Sequence, residues 1–216
     1  PTIERVVQAN ATPGGRRGIH ALVISPTREL ASQIEEECQQ LMTFHKPALS
    51  ARVVFGGTNV KADVRDLTQK TPSLVVATPG RLNDLLYNYG IDQLCAGLST
   101  LVFDEADQLL EMGFRPDVTK ILAKLAPTAE RRQTLLFSAT MPQDVMAIAK
   151  FATRPNVRMV DTVGEDKQTN AQVEQSATVC AAAAIPAELL ALLQQLMVGE
   201  FKVGRPAPPH APAPHT

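Results

Sequence analysis

Five short runs of apolar residues recur within the first 137 of the 216 residues, each succeeded by a stretch with helical spacing. They are residues 21–25 (ALVIS), 52–55 (RVVF), 74–77 (LVVA), 100–103 (TLVF) and 134–137 (TLLF). Runs that are apolar at nearly every position, instead of at every second one, are strands buried on both faces, as in a parallel sheet. Residues 157–160 (VRMV) read as a sixth. Between the runs, Leu30, Ile34, Cys38 and Leu41 fall on one helical stripe, and so do Val118, Ile121, Leu122 and Leu125 after Pro116. Pro142 occupies a first-turn position ahead of Val145, Ile148 and Ala149. This alternation predicts an α/β layer fold: a parallel sheet with helices on both faces. The runs at 100–103 and 134–137 carry no charge and are expected in the interior of that sheet.

The chain is long enough for one core and part of a second. Its 21 basic and 22 acidic side chains cancel, so any contact with nucleic acid must come from local geometry and not from bulk charge. Three cysteines, with no C-x-x-C pair, argue against a disulfide framework or a structural zinc and for a reducing, intracellular compartment. No apolar run approaches the ~18 residues of a membrane span. The chain starts at Pro1, not Met, and is expected to be a fragment or a processed product with any targeting peptide upstream. Residues 1–7 read as the tail of a helix, 10–18 as a Gly-rich basic loop and 162–175 as a polar linker. Residues 185–197 form a leucine-rich helical pattern, and the last thirteen residues hold five prolines, predicting an extended, disordered tail.

In a parallel sheet, ligands collect at the carboxyl ends of the strands, so the residues just past each run carry the chemistry. After residues 100–103 come Asp104, Glu105, Ala106 and Asp107. An acid closing a buried apolar strand holds Mg²⁺ in phosphoryl-transfer enzymes, and a neighbouring carboxylate orients or deprotonates water. The bland alternative is an acidic turn capping a helix. After residues 134–137 come Ser138, Ala139 and Thr140, small hydroxyls able to bridge polar groups or simply to cap a helix. The other three exits are Pro26-Thr27-Arg28-Glu29-Leu30, Gly56-Gly57 and Thr78-Pro79-Gly80-Arg81. Helix N-termini beside arginines, and glycines that admit a close backbone, suit phosphates. Three such turns on successive strands fit an extended polyanion read through its backbone, such as RNA.

These strings, in this order, resemble the DEAD-box family of ATP-dependent RNA helicases over residues 1–197. The stretches GFRPDVTKIL, QTLLFSATMPQDVMAIAK and VDTVGEDK are similar to a narrower group, fungal and plant helicases related to mitochondrial splicing helicases. The resemblance implies a RecA-like lobe of the P-loop NTPase type, using ATP and Mg²⁺ to unwind short RNA duplexes. It implies that Asp104 holds Mg²⁺ through water and Glu105 acts on the hydrolytic water. Asp107, Ser138 and Thr140 would couple nucleotide state to strand separation. Pro26, Thr27, Arg28, Gly56, Gly57, Thr78, Pro79, Gly80 and Arg81 would meet the RNA backbone without reading its sequence. Residues 1–161 would be this first lobe, incomplete at its N-terminus. Residues 162–180 would be the interlobe crossing, 181–197 the remnant of the first helix of a second lobe and 198–216 the tail. The compartment is left among mitochondrial matrix, nucleus or nucleolus, and cytoplasm.

The sequence departs from the family in having no G-x-x-x-x-G-K-[ST] phosphate loop. The family's adenine-reading glutamine motif and its arginine-finger lobe are absent as well. Three readings are open: part of an ATP-hydrolysing RNA helicase, a catalytically inactive RNA-binding fragment, or a helicase-like ATPase acting on DNA.

Overall fold

In the computed structural model the described residues are 1–11, 18–45, 49–162 and 178–197. The chain divides into two compact units, residues 1–159 and 160–216. The first runs α1 (Thr2–Ala11), β1 (Ala21–Ile24), α2 (Arg28–Met42), β2 (Ala51–Val54), α3 (Val60–Gln69), β3 (Leu74–Ala77), α4 (Pro79–Asn88), β4 (Thr100–Phe103), α5 (Ala106–Glu111), α6 (Arg115–Lys124), β5 (Gln133–Leu136) and α7 (Gln143–Ala152). The second contributes α8 (Ile185–Met197). The helix read at 185–197 therefore forms. All but the first residue of the linker read at 162–175, the tail at 198–216 and most of the Gly-rich loop lie outside the described residues.

The five strands are all parallel, in the order β2-β3-β1-β4-β5. Apolar side chains leave each strand on both sides, as the unbroken runs require. Leu22, Ile24, Leu101 and Phe103 enter a core shared with α3 to α7, through Leu67, Leu85, Leu109, Ile121 and Val145. Ala21, Val23, Val76 and Val102 face the opposite way, toward Val6 of α1 and Ala31 and Met42 of α2. The stripe at Val118, Ile121, Leu122 and Leu125 is buried throughout. The α2 stripe is only partly covered: Ile34, Cys38 and Leu41 line an open cavity of about 720 Å³ on the α1–α2 face, and Leu41 is 55% exposed.

The structure corrects three expectations. Strand β5 is an edge, paired with β4 alone among the described strands, and its residues range from half-buried to exposed. Its apolar run predicts an interior strand, but apolarity records what a strand is built to meet and not what covers it here. Residues 157–160 form no strand; Val157, Met159 and Val160 are well exposed and find no ladder partner among the described residues. Pro142 sits one residue before α7, as its N-cap, and not inside the first turn.

Register places the site. Val54, Ala77, Ile24, Phe103 and Leu136 stand in one row across the sheet. The ladder continues one residue further. The amides of Thr78, Ser25, Asp104 and Phe137 donate to Val54, Ala77, Ile24 and Phe103 carbonyls at 2.9–3.2 Å. All five exits therefore open on the same edge. Strands β2 and β3 lie on one side of β1, and β4 and β5 on the other, so chains leaving β1 and β4 diverge and open a crevice between them.

Candidate functional site

The exit from β4 turns sharply. The Asp104 carboxylate accepts from the Glu105 amide at 3.1 Å, and Glu105 then adopts φ 48°, ψ 55°. It is the single non-glycine residue at positive φ among the described residues. A left-handed residue with a side chain costs about 1–2 kcal/mol, and such strain gathers at functional turns. Three contacts hold it. The Ala106 amide donates to the Phe137 carbonyl at 3.0 Å. The Asp107 amide donates to Ser138 Oγ at 3.2 Å. The carboxylate of Asp107 accepts from both the amide and the hydroxyl of Thr140, at 2.9 and 2.8 Å. Ser138 in turn donates to the Thr140 carbonyl at 2.6 Å.

Asp107 is 7% exposed. Burial pushes its carboxyl upward, but hydrogen bonds from the Thr140 hydroxyl and amide, the Gln108 amide and Ser138 outweigh it and hold the group below its ordinary value. Asp107 is thus an anion whose bonds are spent on the neighbouring turn. Asp104 differs: it is half-buried and lines the open cavity beside Val23, Val102 and Phe137. Among the described residues, no group of three or more His, Cys, Asp or Glu is arranged to hold a metal ion. A single accessible carboxylate at a strand end suits a hard cation that keeps most of its waters and takes further ligands from a substrate, as Mg²⁺ does.

The phosphate-suited turns assemble on the same edge. Thr27 caps α2, its hydroxyl accepting from the Leu30 amide at 3.2 Å. Arg28, exposed at the head of α2, lies against the glycine pair after β2. Gly57 has φ +91°, a conformation that favours glycine, and a Cβ there would meet the movable end of Arg28, 2.8 Å from Nη1. Thr78 is the N-cap of α4 without bonding its own helix, Pro79 is buried, and a side chain at Gly80 would meet open space. Gly80 at the head of α4 and Arg28 are therefore the exposed members of these turns.

Arg81 departs from expectation. It is 8% exposed and ion-paired with Asp63, and it donates to the Thr58 hydroxyl at 3.1 Å and the Thr58 carbonyl at 2.8 Å. Its guanidinium holds the loop after Gly57 against α4 instead of facing solvent. Sequence reading misses Thr58 and Asp63, and no local spacing marks them, because the pairing spans 18 residues. It also misses the left-handed Glu105, which nothing in the string announces.

The sequence model of the DEAD/DEAH box helicase family matches residues 1–148. The chain belongs to the DEAD/DEAH box helicase family. Among relatives of this DEAD/DEAH box chain, DEAD-box ATP-dependent RNA helicase 26 of Oryza sativa subsp. japonica is 42% identical over 177 residues, covering 81% of this chain and 32% of the relative. The mitochondrial ATP-dependent RNA helicase MSS116 of Phaeosphaeria nodorum is 38% identical over 163 residues, covering 76% and 29%. The narrower likeness to plant and fungal helicases, a mitochondrial one included, holds. The solved DEAD-box helicase Mss116 bound to single-stranded RNA and UDP-BeF superposes with a TM-score of 0.75 at 28% identity, over 92% of this chain and 41% of that one. A yeast DEAD-box splicing factor, Prp28, gives 0.62 at 31% identity, over 71% and 36%. The RecA-like fold is therefore shared. The DEAD/DEAH box chain spans about a third of the length of the curated relatives it matches.

Proposed function

We propose that this lobe serves an ATP-dependent RNA helicase, in which RNA-stimulated ATP hydrolysis drives local duplex opening. The observation that carries the reading is the Asp107 tie. It joins the acidic turn after β4 to the Ser138–Thr140 turn after β5, on the edge where the phosphate-suited turns also open. Movement at the acidic turn is thereby transmitted to a neighbouring strand exit without passing through the core.

In this reading Asp104 holds Mg²⁺ through water, and the metal supplies charge neutralisation across the transferring phosphates. Glu105 orients the attacking water and takes its proton. Asp107, Ser138 and Thr140 couple that chemistry to RNA release. Arg28, Gly57, Thr78 and the Gly80 amide meet the RNA backbone, with Pro26, Thr27, Gly56 and Pro79 shaping those turns. Arg81 is reassigned to positioning the Gly57 loop. Residues 1–161 are proposed as the first lobe, 162–180 as the crossing, 181–197 as the beginning of a second lobe and 198–216 as a tail. The compartment is one where ATP and RNA meet, the mitochondrial matrix included. Among the described residues, no helix is long and apolar enough to cross a membrane.

Arg28→Ala should weaken binding of unrelated single-stranded RNAs about equally, and should lower the salt slope by about 0.7 for each phosphate no longer neutralised. Arg81→Ala should instead lower the melting temperature. Fluorescence anisotropy across a salt series, with a thermal melt, separates the two; a sequence-selective loss at Arg28 would mean that it reads bases. In a chain joining this lobe to a phosphate loop and a second lobe, Glu105→Gln should keep nucleotide binding and cut hydrolysis by about 10²-fold or more. Unchanged turnover removes Glu105 from the mechanism.

A second reading has one observation in its favour. The 216 residues contain no phosphate loop, so taken alone they bind RNA without hydrolysing ATP. Phosphate release at millimolar Mg-ATP, with Asp104→Ala as control, should show no difference between the two.

A further inference from the structure

Ion pairs between described residues are mostly open to solvent on at least one side. The pair of Asp63 with Arg81 is the exception, buried on both sides. Asp63 stands in the first turn of α3, which opens on its N-cap Asn59, and Arg81 stands near the start of α4. Arg81 has been placed above as the support of the Gly57 loop. No chemistry proposed for this edge uses the Asp63 carboxylate.

Burying two charges is costly, and apolar residues of similar volume often hold a fold as well, so such a pair is better explained by what it aligns. One guanidinium makes three contacts. Its Nη1 donates to Asp63 and, at 3.1 Å, to the Thr58 hydroxyl, and its Nη2 donates to the Thr58 carbonyl at 2.8 Å. The planar fork fixes the directions of these contacts relative to one another. Thr58 Oγ1 also lies 3.0 Å from the Phe55 carbonyl and 3.3 Å from Asp63 Oδ2, which ties the turn to the strand it leaves and to α3. Gly57 immediately precedes Thr58, and Gly80 immediately precedes Arg81. Each exposed glycine is therefore one residue away from an end of the same network. Two adjacent glycines, Gly56 and Gly57, would otherwise leave that turn wide conformational freedom, and ordering it on binding would cost affinity.

We propose that Asp63 is a positioning residue for the RNA backbone. By anchoring Arg81 and Thr58 it fixes the Gly57 turn relative to the Gly80 turn before RNA arrives. This rests on the reading of those two turns as RNA-facing. Simple electrostatics predicts the opposite effect for this residue. A carboxylate near a polyanion repels it, so deleting the charge alone should tighten binding. Loss of positioning weakens binding. The two effects differ in sign, and the sign tells them apart. Arg81, held by Asp63 and Thr58, neutralises no phosphate, so loss of positioning leaves the salt slope where it was.

The test uses this chain and a short fluorescein-labelled single-stranded RNA of mixed sequence. Anisotropy titrations across a salt series compare wild type, Asp63→Asn, Thr58→Val and Arg28→Ala, all at a temperature below the melting transition of the least stable variant. Asp63→Asn should bind about 3–10-fold more weakly with an unchanged salt slope. It should also melt lower than wild type, because Arg81 keeps a buried charge without its counterion. Thr58→Val, which keeps the shape and every charge, should weaken binding in the same direction and decides the matter if Asp63→Asn does not fold. Wild-type affinity in the folded variants, beside a lowered melting temperature, assigns the pair to the fold alone and overturns the proposal. Tighter binding with a steeper salt slope also overturns it, since Asp63 would then merely withhold Arg81 from phosphates. If Arg28→Ala weakens binding and the other two variants do not, the Asp63 proposal falls and the RNA reading stands. If wild type does not bind this RNA, both fall.

Discussion

Asp107 and Asp104 are three residues apart, yet they stand in opposite surroundings. Asp107 is buried and surrounded by donors, whereas Asp104 is half-open on a cavity. The lowered carboxyl of Asp107 has a consequence for stability. A group whose folded value lies below its unfolded one contributes stability that is complete above the ordinary carboxylate value, about 4. That contribution is lost as pH falls through the lowered value. Asp107→Asn keeps the shape but removes the charge and one acceptor, and should cost about 2 kcal/mol at neutral pH. Denaturant melts at pH 7 and pH 3 should show the gap between wild type and Asp107→Asn narrowing in acid. A gap constant with pH would mean that shape, not charge, holds the turn. Much of this site is legible as strings, because PTREL, DEAD and SAT are contiguous and each sits at a strand end. Which acid faces which neighbour is not legible. Arg81 shows the limit: an arginine after a glycine at a helix start reads as a phosphate ligand until Asp63, from another helix, claims it.

Among the elements, β4 and β5 read alike in sequence and differ in place. Both are apolar runs of parallel-sheet type, but β4 is buried at every position and β5 at none. The strand count, the parallel direction and the helix stripes can be read because each depends on local periodicity. Edge or interior depends on which strands lie alongside, which periodicity does not encode. The turn between α6 and β5 is fixed by Arg132, 3% exposed, whose Nη1 donates to the Leu125 carbonyl at 2.7 Å and to Thr128 Oγ1 at 2.9 Å. Burial draws its pKa down, and the cation sits at the carbonyl end of α6, where the helix dipole favours it. Arg132→Leu should leave those acceptors unpaired and cost about 2–3 kcal/mol. Equal urea midpoints for the two proteins would show that the turn holds without it. Near the helices' shared core, Leu85→Ala should cost more, about 2–5 kcal/mol, since Leu85 is fully buried.

For the molecule as a whole, the same edge carries a liability. Phe137 is 55% exposed, Leu41 55% and Phe44 86%, all around the open cavity, and among the described residues β5 has no partner on its outer side. An exposed apolar patch next to a free strand edge promotes self-association. Sedimentation of the purified chain should show concentration-dependent oligomers, reduced by Phe44→Ser or Leu41→Lys. A single monomeric species at high concentration would refute this.

The flush row from Val54 to Leu136 also bears on which length changes such a lobe tolerates. Under the proposed function, chemistry drawn from five separate exits works only while every exit stops at the same height. A residue gained beyond a carboxyl end shifts one partner relative to the other four. A residue gained where chains return to begin the next strand leaves all five where they were. Drift in loop length therefore has freedom on one rim of the sheet and almost none on the other, so descendants of this lobe should differ in size on the rim opposite the proposed site.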